Sequence, residues 1–196
     1  MPDINEDTYY RAGTANPDST VRWKAWLTAA CVLGLVGVSQ ARPEPFAGRV
    51  VRVIDGDTVV VQDEDARIHK VRLAGIDAPE CGMPFGQAAK RHLESLVLGR
   101  AVRSINMSRD RYRRTVSVLL QEQQDVGRAM IEAGLAWHDR RFPVRVGDVG
   151  RTEYARAEQE ARDRVEALWM QSVVVPPWEW RAKRSVGQRH CRPEQP

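Results

Sequence analysis

The stretch of residues 54–80 constrains the fold more than any other part of the chain, because charged side chains lie at the ends of two β-like runs. In order, these side chains are Asp55, Asp57, Arg72, Asp77 and Glu80. If the two runs pair as a hairpin, the four acids and the arginine meet at one end of a sheet. Such a cluster is costly unless a cation compensates it, and oxygen ligands suit Ca²⁺ or Mg²⁺. An arginine beside a carboxylate–metal site fits a bound phosphate, so the stretch indicates phosphodiester chemistry.

The order of strand-like and helix-like patterns predicts the fold class. Alternating or β-branched runs predict strands over residues 48–54, 58–62, 68–76, 101–107 and 115–120. Helical spacing predicts helices over 85–98, 125–133 and 152–169, the last two capped by Asp125 and Thr152. This order matches an α+β fold, a five-stranded Greek-key β-barrel of the OB type with about three helices. Barrels of this type present a curved face to oligonucleotides.

The N-terminal residues 1–41 are predicted to be a disordered leader followed by a signal peptide. Arg22 and Lys24 precede an apolar run of 14 residues, 25–38, and the small Ala41 marks the expected cleavage site. The run is short for a membrane-spanning helix, which needs about 20 residues, so an uncleaved membrane anchor is the alternative. We therefore expect a secreted or periplasmic protein.

Three further segments follow the predicted cleavage site. Residues 42–46 are expected to be a linker, residues 47–170 the folded domain, and residues 171–196 a tail. Because the tail contains consecutive prolines, we expect it to lie extended over the domain with its tryptophans packed.

Cysteine count is consistent with export. Cys31 falls within the predicted signal peptide, which leaves Cys81 and Cys191 as an even pair in an oxidising compartment. We expect a disulfide between them, tethering the tail to the loop after Glu80. Two unrelated thiols are the alternative.

The charge balance is weak evidence for a nucleic-acid partner. The chain has 26 arginines against 4 lysines and a formal net charge of +4. Positive charge on planar guanidinium groups fits a nucleic-acid partner. An arginine bias can also come from genome composition, so charge alone decides little.

Three motifs together are more specific: D-G-D-T at 55–58, R-x-x-x-x-D-x-x-E at 72–80 and D-x-Y-x-R at 110–114. With them, the chain resembles the staphylococcal nuclease-like (thermonuclease) family over residues 48–169. The P-P-W-E-W-R tail also resembles that of secreted bacterial members. The resemblance implies a Ca²⁺ site formed by Asp57, Asp77 and the carbonyl of Ala78. It also implies that Glu80 is the base that activates water.

The same resemblance implies that Arg72 and Arg114 clamp the phosphate, and that Arg111 and Tyr112 contact a terminal phosphate. The family usually has a glycine before its second arginine, and this chain has Arg113 at that position. Either Arg113 or Arg114 could therefore match the family's second arginine. The spacing from Tyr112 favours Arg114. Asp55 receives no ligand role, and a part in the turn is expected.

The two tyrosines that flank the nucleotide in the staphylococcal enzyme have no aromatic pair here, since their positions hold Arg140 and Phe142. Trp137 and His138 are candidates to replace them, and the alternative is that they are core and surface residues, which such residues more often are. The leading hypothesis is an exported, monomeric, Ca²⁺-dependent nuclease acting on DNA, RNA or both with little sequence preference. A non-catalytic nucleic-acid-binding barrel and a secreted interaction domain are the alternatives.

Overall fold

The computed structural model describes residues 44–141 and 147–183, which belong to the compact unit Gln40–Pro196. The predicted leader, the signal peptide and the chain after residue 183 lie outside these ranges, so the expectations for them stay predictions. None of the helices within the two described ranges combines the length and the apolar character needed to cross a membrane.

The strands form a closed barrel with short additions. In chain order they are β1 (Phe46–Val53), β2 (Thr58–Asp63), β3 (Ile68–Leu73), β4 (Ile76–Asp77), β5 (Ala101–Arg109), β6 (Thr115–Gln121), β7 (Gln124–Asp125) and β8 (Trp137–His138). The barrel order is β3-β2-β1-β5-β6, and a parallel pairing of β3 with β6 closes it. This five-stranded mixed barrel confirms the predicted OB-type α+β fold.

Branched aliphatic side chains fill the barrel interior. Val50, Val59, Val61 and Val71 are fully buried, and Leu73 is nearly so. β-Branched residues favour strands because they pack well on a pleated surface. The hydrophobic pattern that predicted these strands therefore also defines the core against which the helices pack.

The third predicted strand is shorter than expected. It was predicted to run to Ile76, but β3 ends at Leu73, and Gly75 adopts a positive φ of 71°. Glycine reaches this left-handed conformation without steric cost, so the chain turns out of the barrel here. Ile76 and Asp77 then form β4, which pairs with β8 instead of continuing β3.

The described ranges contain four α-helices, one more than predicted. They are α1 (Gly86–Val97), α2 (Val126–Glu132), α3 (Gly147–Asp163) and α4 (Pro177–Lys183). The predicted cap of α2 is confirmed, because the Asp125 side chain accepts a hydrogen bond from the Arg128 amide. The predicted cap of α3 at Thr152 is wrong, since Thr152 lies within that helix. Two glycines at 147 and 150 disguised its first turn, because glycine disfavours helix in sequence patterns.

Helix α3 also ends earlier than predicted. Val165 and Ala167 have φ values of 55° and 45°, which break the helical path after Asp163. A 3-10 turn, Ala167–Met170, follows and buries Leu168. The apolar spacing through Trp169 therefore reflects two packed elements rather than one helix.

The predicted extended tail is wrong for residues 177–183, which form α4. Proline lacks an amide hydrogen, but the first helical position does not need one, so Pro177 can begin a helix. The amides of Glu179 and Trp180 donate hydrogen bonds to the carbonyl of Pro176. The expected packing is confirmed for Trp178, whose ring lies edge-on to Trp137 with centroids 6.4 Å apart.

Candidate active site

The hairpin of β2 and β3 brings the first two site residues together. Thr58 pairs with Arg72 in the antiparallel register, so Asp57 lies beside the Arg72 guanidinium. Arg72 Nη1 is 2.5 Å from Asp57 Oδ2. The Thr58 hydroxyl and the Ala78 amide donate further hydrogen bonds to the Asp57 carboxylate, at 2.9 and 3.2 Å. The predicted convergence of Asp57 and Arg72 is therefore present.

Arg72 also reaches the second aspartate. Its Nη2 donates hydrogen bonds of 3.2 Å to Asp77 Oδ1 and to the carbonyl of Ile76. The turn at Gly75 places Asp77 here, because it redirects the chain immediately after β3. Asp57 is 5% exposed and Asp77 is fully buried, so one guanidinium bridges two carboxylates away from solvent.

The pKa values follow from this pairing. Burial by itself would raise the pKa of Asp57, but the charge and hydrogen bonds of Arg72 lower it overall. Burial opposes the charge on Arg72, yet Asp57 and Asp77 raise the pKa of that guanidinium. Both partners therefore stay ionised in the folded protein across the neutral range.

Asp55 differs from its neighbours. Burial, reinforced by the nearby charge of Asp57, raises the pKa of Asp55 to about 7. Its carboxylate accepts a hydrogen bond from the Asp57 amide, which fits the expected part in the turn. Partial protonation of Asp55 near neutral pH reduces repulsion within the cluster.

Gly56, between Asp55 and Asp57, has a packing role. A Cβ atom at this position would lie 2.7 Å from the Ala78 Cβ and 2.8 Å from the Ala89 Cβ. Because Gly56 has no side chain, α1, which carries Ala89, can pack against the turn that holds Asp55 and Asp57. This close approach fixes the loop relative to the helix.

Glu80 lies at the open edge of the cluster, with its side chain 30% exposed. Its carbonyl accepts a hydrogen bond of 2.7 Å from the Met83 amide, which closes a tight turn before α1. A Cβ at Gly86 would lie 2.1 Å from that same carbonyl, so the turn requires glycine there. The predicted base thus occupies a fixed position with solvent access.

The turn between β5 and β6 carries the remaining predicted residues. Arg114 Nε is 2.7 Å from Asp110 Oδ2, so its described partner is Asp110 rather than the aspartates around Arg72. Arg113 has a φ of 63°, a conformation that glycine adopts most easily. The resemblance implies a glycine at position 113, and the left-handed backbone there fits that expectation. Arg114 is therefore the arginine that corresponds to the family's second phosphate-binding arginine.

Arg111 and Tyr112 lie at the tip of the same turn. Tyr112 is 58% exposed, and the Arg111 guanidinium carbon is 4.9 Å from its ring centroid. An exposed aromatic ring with a stacked guanidinium suits contact with a nucleobase or a phosphate. The pair is therefore accessible, as its predicted role requires.

The predicted replacements for the nucleotide-flanking tyrosines are wrong. Trp137 is 3% exposed and His138 is 5% exposed, so neither can stack on a base. Trp137 packs edge-on against Trp169, and His138 packs edge-on against Tyr154. Strand β8 directs both side chains into the protein, which the local sequence did not reveal.

Two arginines for which the sequence predicts no role, Arg141 and Arg181, contact the site. Arg141 Nη2 is 3.0 Å from Asp77 Oδ2. Arg181, on α4, contacts both Asp77 and Glu80, at 2.5 and 2.7 Å. The W-E-W-R motif in the tail was the available signal for Arg181. No local pattern indicated Arg141.

The donor atoms suit a hard divalent cation, although they are not arranged as a ready-made site. Within the two described ranges, no group of three or more Asp, Glu, His or Cys side chains is placed to hold a metal ion. The predicted set has two aspartates and a backbone carbonyl, and Arg181 now engages Asp77. Buried carboxylate oxygens are nevertheless the ligands that Ca²⁺ prefers.

The predicted disulfide includes Cys191, which lies outside the described residues. Cys81 follows Glu80 directly, in the turn before α1. The pairing of Cys81 with Cys191 stays a prediction.

Known proteins with similar sequences include several that are named as nucleases. The sequence profile of the family described as "Staphylococcal nuclease homologue" matches residues 70–171. An "Uncharacterized endonuclease" of Haemophilus influenzae is 33% identical over 166 residues, which is 83% of this chain and 88% of that protein. A "Micrococcal nuclease" of Shigella flexneri is 36% identical over 145 residues, which is 69% of this chain and 80% of that protein.

A more distant organism also has a similar protein. The "Staphylococcal-like nuclease CAN1" of Arabidopsis thaliana is 36% identical over 122 residues, which is 62% of this chain but 36% of the plant protein. The barrel, the bridged aspartates and these matches agree. The chain belongs to the staphylococcal nuclease homologue family.

Proposed function

We propose that this protein is an exported Ca²⁺-dependent nuclease that hydrolyses phosphodiester bonds of DNA, RNA or both with low sequence specificity. One observation carries the proposal: Arg72 bridges the buried carboxylates of Asp57 and Asp77 at a site that Glu80 borders. A phosphodiester is anionic, so its hydrolysis needs fixed positive charge where the transition state accumulates negative charge. Relatives that bear nuclease names support this reaction class.

Asp57, Asp77 and the carbonyl of Ala78 would hold the cation. When bound, Ca²⁺ supplies positive charge at the phosphate and helps to orient the attacking water. The ligand set of carboxylates and a carbonyl favours Ca²⁺ over Mg²⁺, which demands a more regular octahedral site.

Glu80 accepts the proton from the attacking water in this proposal. Its side chain lies at the solvent edge of the cluster, where water can reach it. General base catalysis of this kind contributes about 10²–10⁴-fold in rate.

Arg72 and Arg114 stabilise the charge that develops on the phosphate oxygens. Arg72 is already held in place by Asp57 and Asp77. Arg114 is held by Asp110 in the turn between β5 and β6, and it would exchange that partner for the phosphate. Arg111 and Tyr112, exposed at the same turn, would contact the adjoining part of the nucleic acid.

Export is part of the same proposal. A signal peptide within residues 1–41 would direct the protein to the periplasm or outside the cell, where a Cys81–Cys191 disulfide can form. We propose a monomer, since a single chain carries every residue to which this proposal gives a role.

The test is cleavage of single-stranded DNA, double-stranded DNA and RNA by the purified full chain, with added Ca²⁺, Mg²⁺ or chelator. We expect cleavage with Ca²⁺ and its loss with chelator. Glu80→Gln should lower the cleavage rate by about 10²–10⁴-fold while nucleic-acid binding persists. Glu64→Gln, which changes an exposed glutamate between β2 and β3, is the matched control and should cleave as the wild type does.

The outcomes separate the alternatives. Binding without cleavage under every cation condition would identify a non-catalytic nucleic-acid-binding barrel. Neither binding nor cleavage would point to an interaction domain. Full cleavage in chelator would refute the role of the cation.

A further inference from the structure

The guanidinium of Arg181 contacts the two acids at the open end of the site. Its Nη1 donates hydrogen bonds to Asp77 Oδ1 at 3.1 Å and to Glu80 Oε1 at 2.7 Å. Its Nη2 donates to Asp77 Oδ2 at 2.5 Å. One arginine therefore engages both oxygens of Asp77 and also holds Glu80.

These contacts saturate the Asp77 carboxylate. Oδ1 accepts hydrogen bonds from Arg72 and Arg181, and Oδ2 accepts them from Arg141 and Arg181. A carboxylate oxygen has about two lone-pair directions, so neither oxygen has one left for a cation. A divalent cation that binds Asp77 must therefore displace a guanidinium.

Arg181 is the guanidinium best placed to be displaced. Arg72 is held by Asp57 as well as Asp77, and its side chain is only 17% exposed. Arg141 is held by two hydrogen bonds from its side chain to Asp139. The described acid partners of Arg181 are Asp77 and Glu80, and α4 is a short helix of seven residues near the end of the described chain.

We propose that Arg181 is a positioning residue that takes the place of the divalent cation in the cation-free protein and competes with that cation for Asp77 and Glu80. In the cation-free protein, Arg181 compensates the charge of the two acids and fixes the Glu80 side chain. Cation binding exchanges this guanidinium for the metal ion, so α4 sets the affinity of the site. This inference rests on the proposed function, because it takes the cation site from it.

The test is calcium binding to the cation-stripped full chain, measured by isothermal titration calorimetry without nucleic acid. Arg181→Gln should bind Ca²⁺ about tenfold more tightly than the wild type, because the cation no longer has to displace a guanidinium from Asp77 and Glu80. Arg181→Lys, which keeps the charge but cannot engage both Asp77 oxygens, should fall between the two. Lys183→Gln removes one positive charge from an exposed position on the same helix and should match the wild type.

Thermal unfolding gives a second readout. Without Ca²⁺, Arg181→Gln should melt at a lower temperature than the wild type, and saturating Ca²⁺ should raise its melting temperature by more. A ligand that binds only the folded state stabilises it by an amount that grows with the logarithm of its concentration divided by Kd, so tighter binding gives a larger increase at the same Ca²⁺ concentration. A merely structural role for Arg181 predicts equal Ca²⁺-induced increases in both proteins.

The results test this inference separately from the proposed Ca²⁺-dependent nuclease activity. Equal or weaker Ca²⁺ binding by Arg181→Gln overturns the competition and leaves the calcium-dependent nuclease standing. If neither protein binds Ca²⁺, the cation site and the competition both fail. If Arg181→Gln does not fold, Arg181→Lys decides, and an affinity equal to that of the wild type overturns the inference.

Discussion

Replacing Arg72 with methionine tests whether this guanidinium holds the two buried aspartates. Methionine keeps much of the side-chain length but removes the charge and every hydrogen-bond donor. Asp77 would keep Arg141 and Arg181 as partners, whereas Asp57 would keep the Thr58 hydroxyl and the Ala78 amide, neither of which carries a charge. Removing one partner of a buried ion pair typically costs about 3–5 kcal/mol. For a domain of this size, that is a drop of about 10–20 °C in melting temperature.

The effect of Arg72→Met on the unfolding free energy should depend on pH, because Arg72 controls the pKa of Asp57. In the wild type, Arg72 lowers the pKa of Asp57, so this stabilisation is present above the unfolded pKa of about 3.9 and is lost as pH falls below it. In Arg72→Met, burial would dominate and raise the pKa of Asp57, so the variant would lose stability as pH rises above about 4. The difference in unfolding free energy between the two proteins should therefore widen from pH 4 to pH 7.

The assay is urea unfolding in chelator at several pH values, with Arg103→Met as a control. Arg103 is an exposed arginine on the barrel strand β5, so the same change there should alter stability by less than about 0.5 kcal/mol. A loss below about 1 kcal/mol for Arg72→Met, or a difference that narrows with rising pH, would refute the bridging role of Arg72.

Two further predictions concern the backbone around the site. Because Arg113 has a φ of 63°, Arg113→Gly should raise the unfolding free energy by about 0.5–1 kcal/mol in denaturant titrations, and a loss of stability would contradict the strain assigned to this turn. Gly56→Ala should lower stability by about 1–3 kcal/mol, since the new Cβ would lie 2.7 Å from the Ala78 Cβ. Thermal unfolding measures this change, and an unaltered melting temperature would mean that α1 does not pack as tightly on the loop as the structure shows.

Several misjudged elements share one cause, which is that local patterns do not report distant packing. Trp137 and His138 were candidates for stacking on a nucleotide base, but the pairing of β8 with β4 buries both. The tail was expected to be extended because of its prolines, but Pro177 occupies the one helical position where proline is tolerated. The partners that bury Trp137 and His138 lie far away in the chain, and α4 likewise packs on distant residues, with Trp178 against Trp137 and Arg181 against Asp77.

By itself, the sequence determined the barrel, and it determined the convergence of Asp57 and Arg72. The strands of the barrel follow from period-two hydrophobic patterns, and the convergence follows from one hairpin register that spans few residues. Only the tertiary structure decided that Arg181 reaches Asp77, since 104 positions separate the two. A contact of that length leaves no periodic signature, because it depends on how the C-terminal helix packs against the finished barrel.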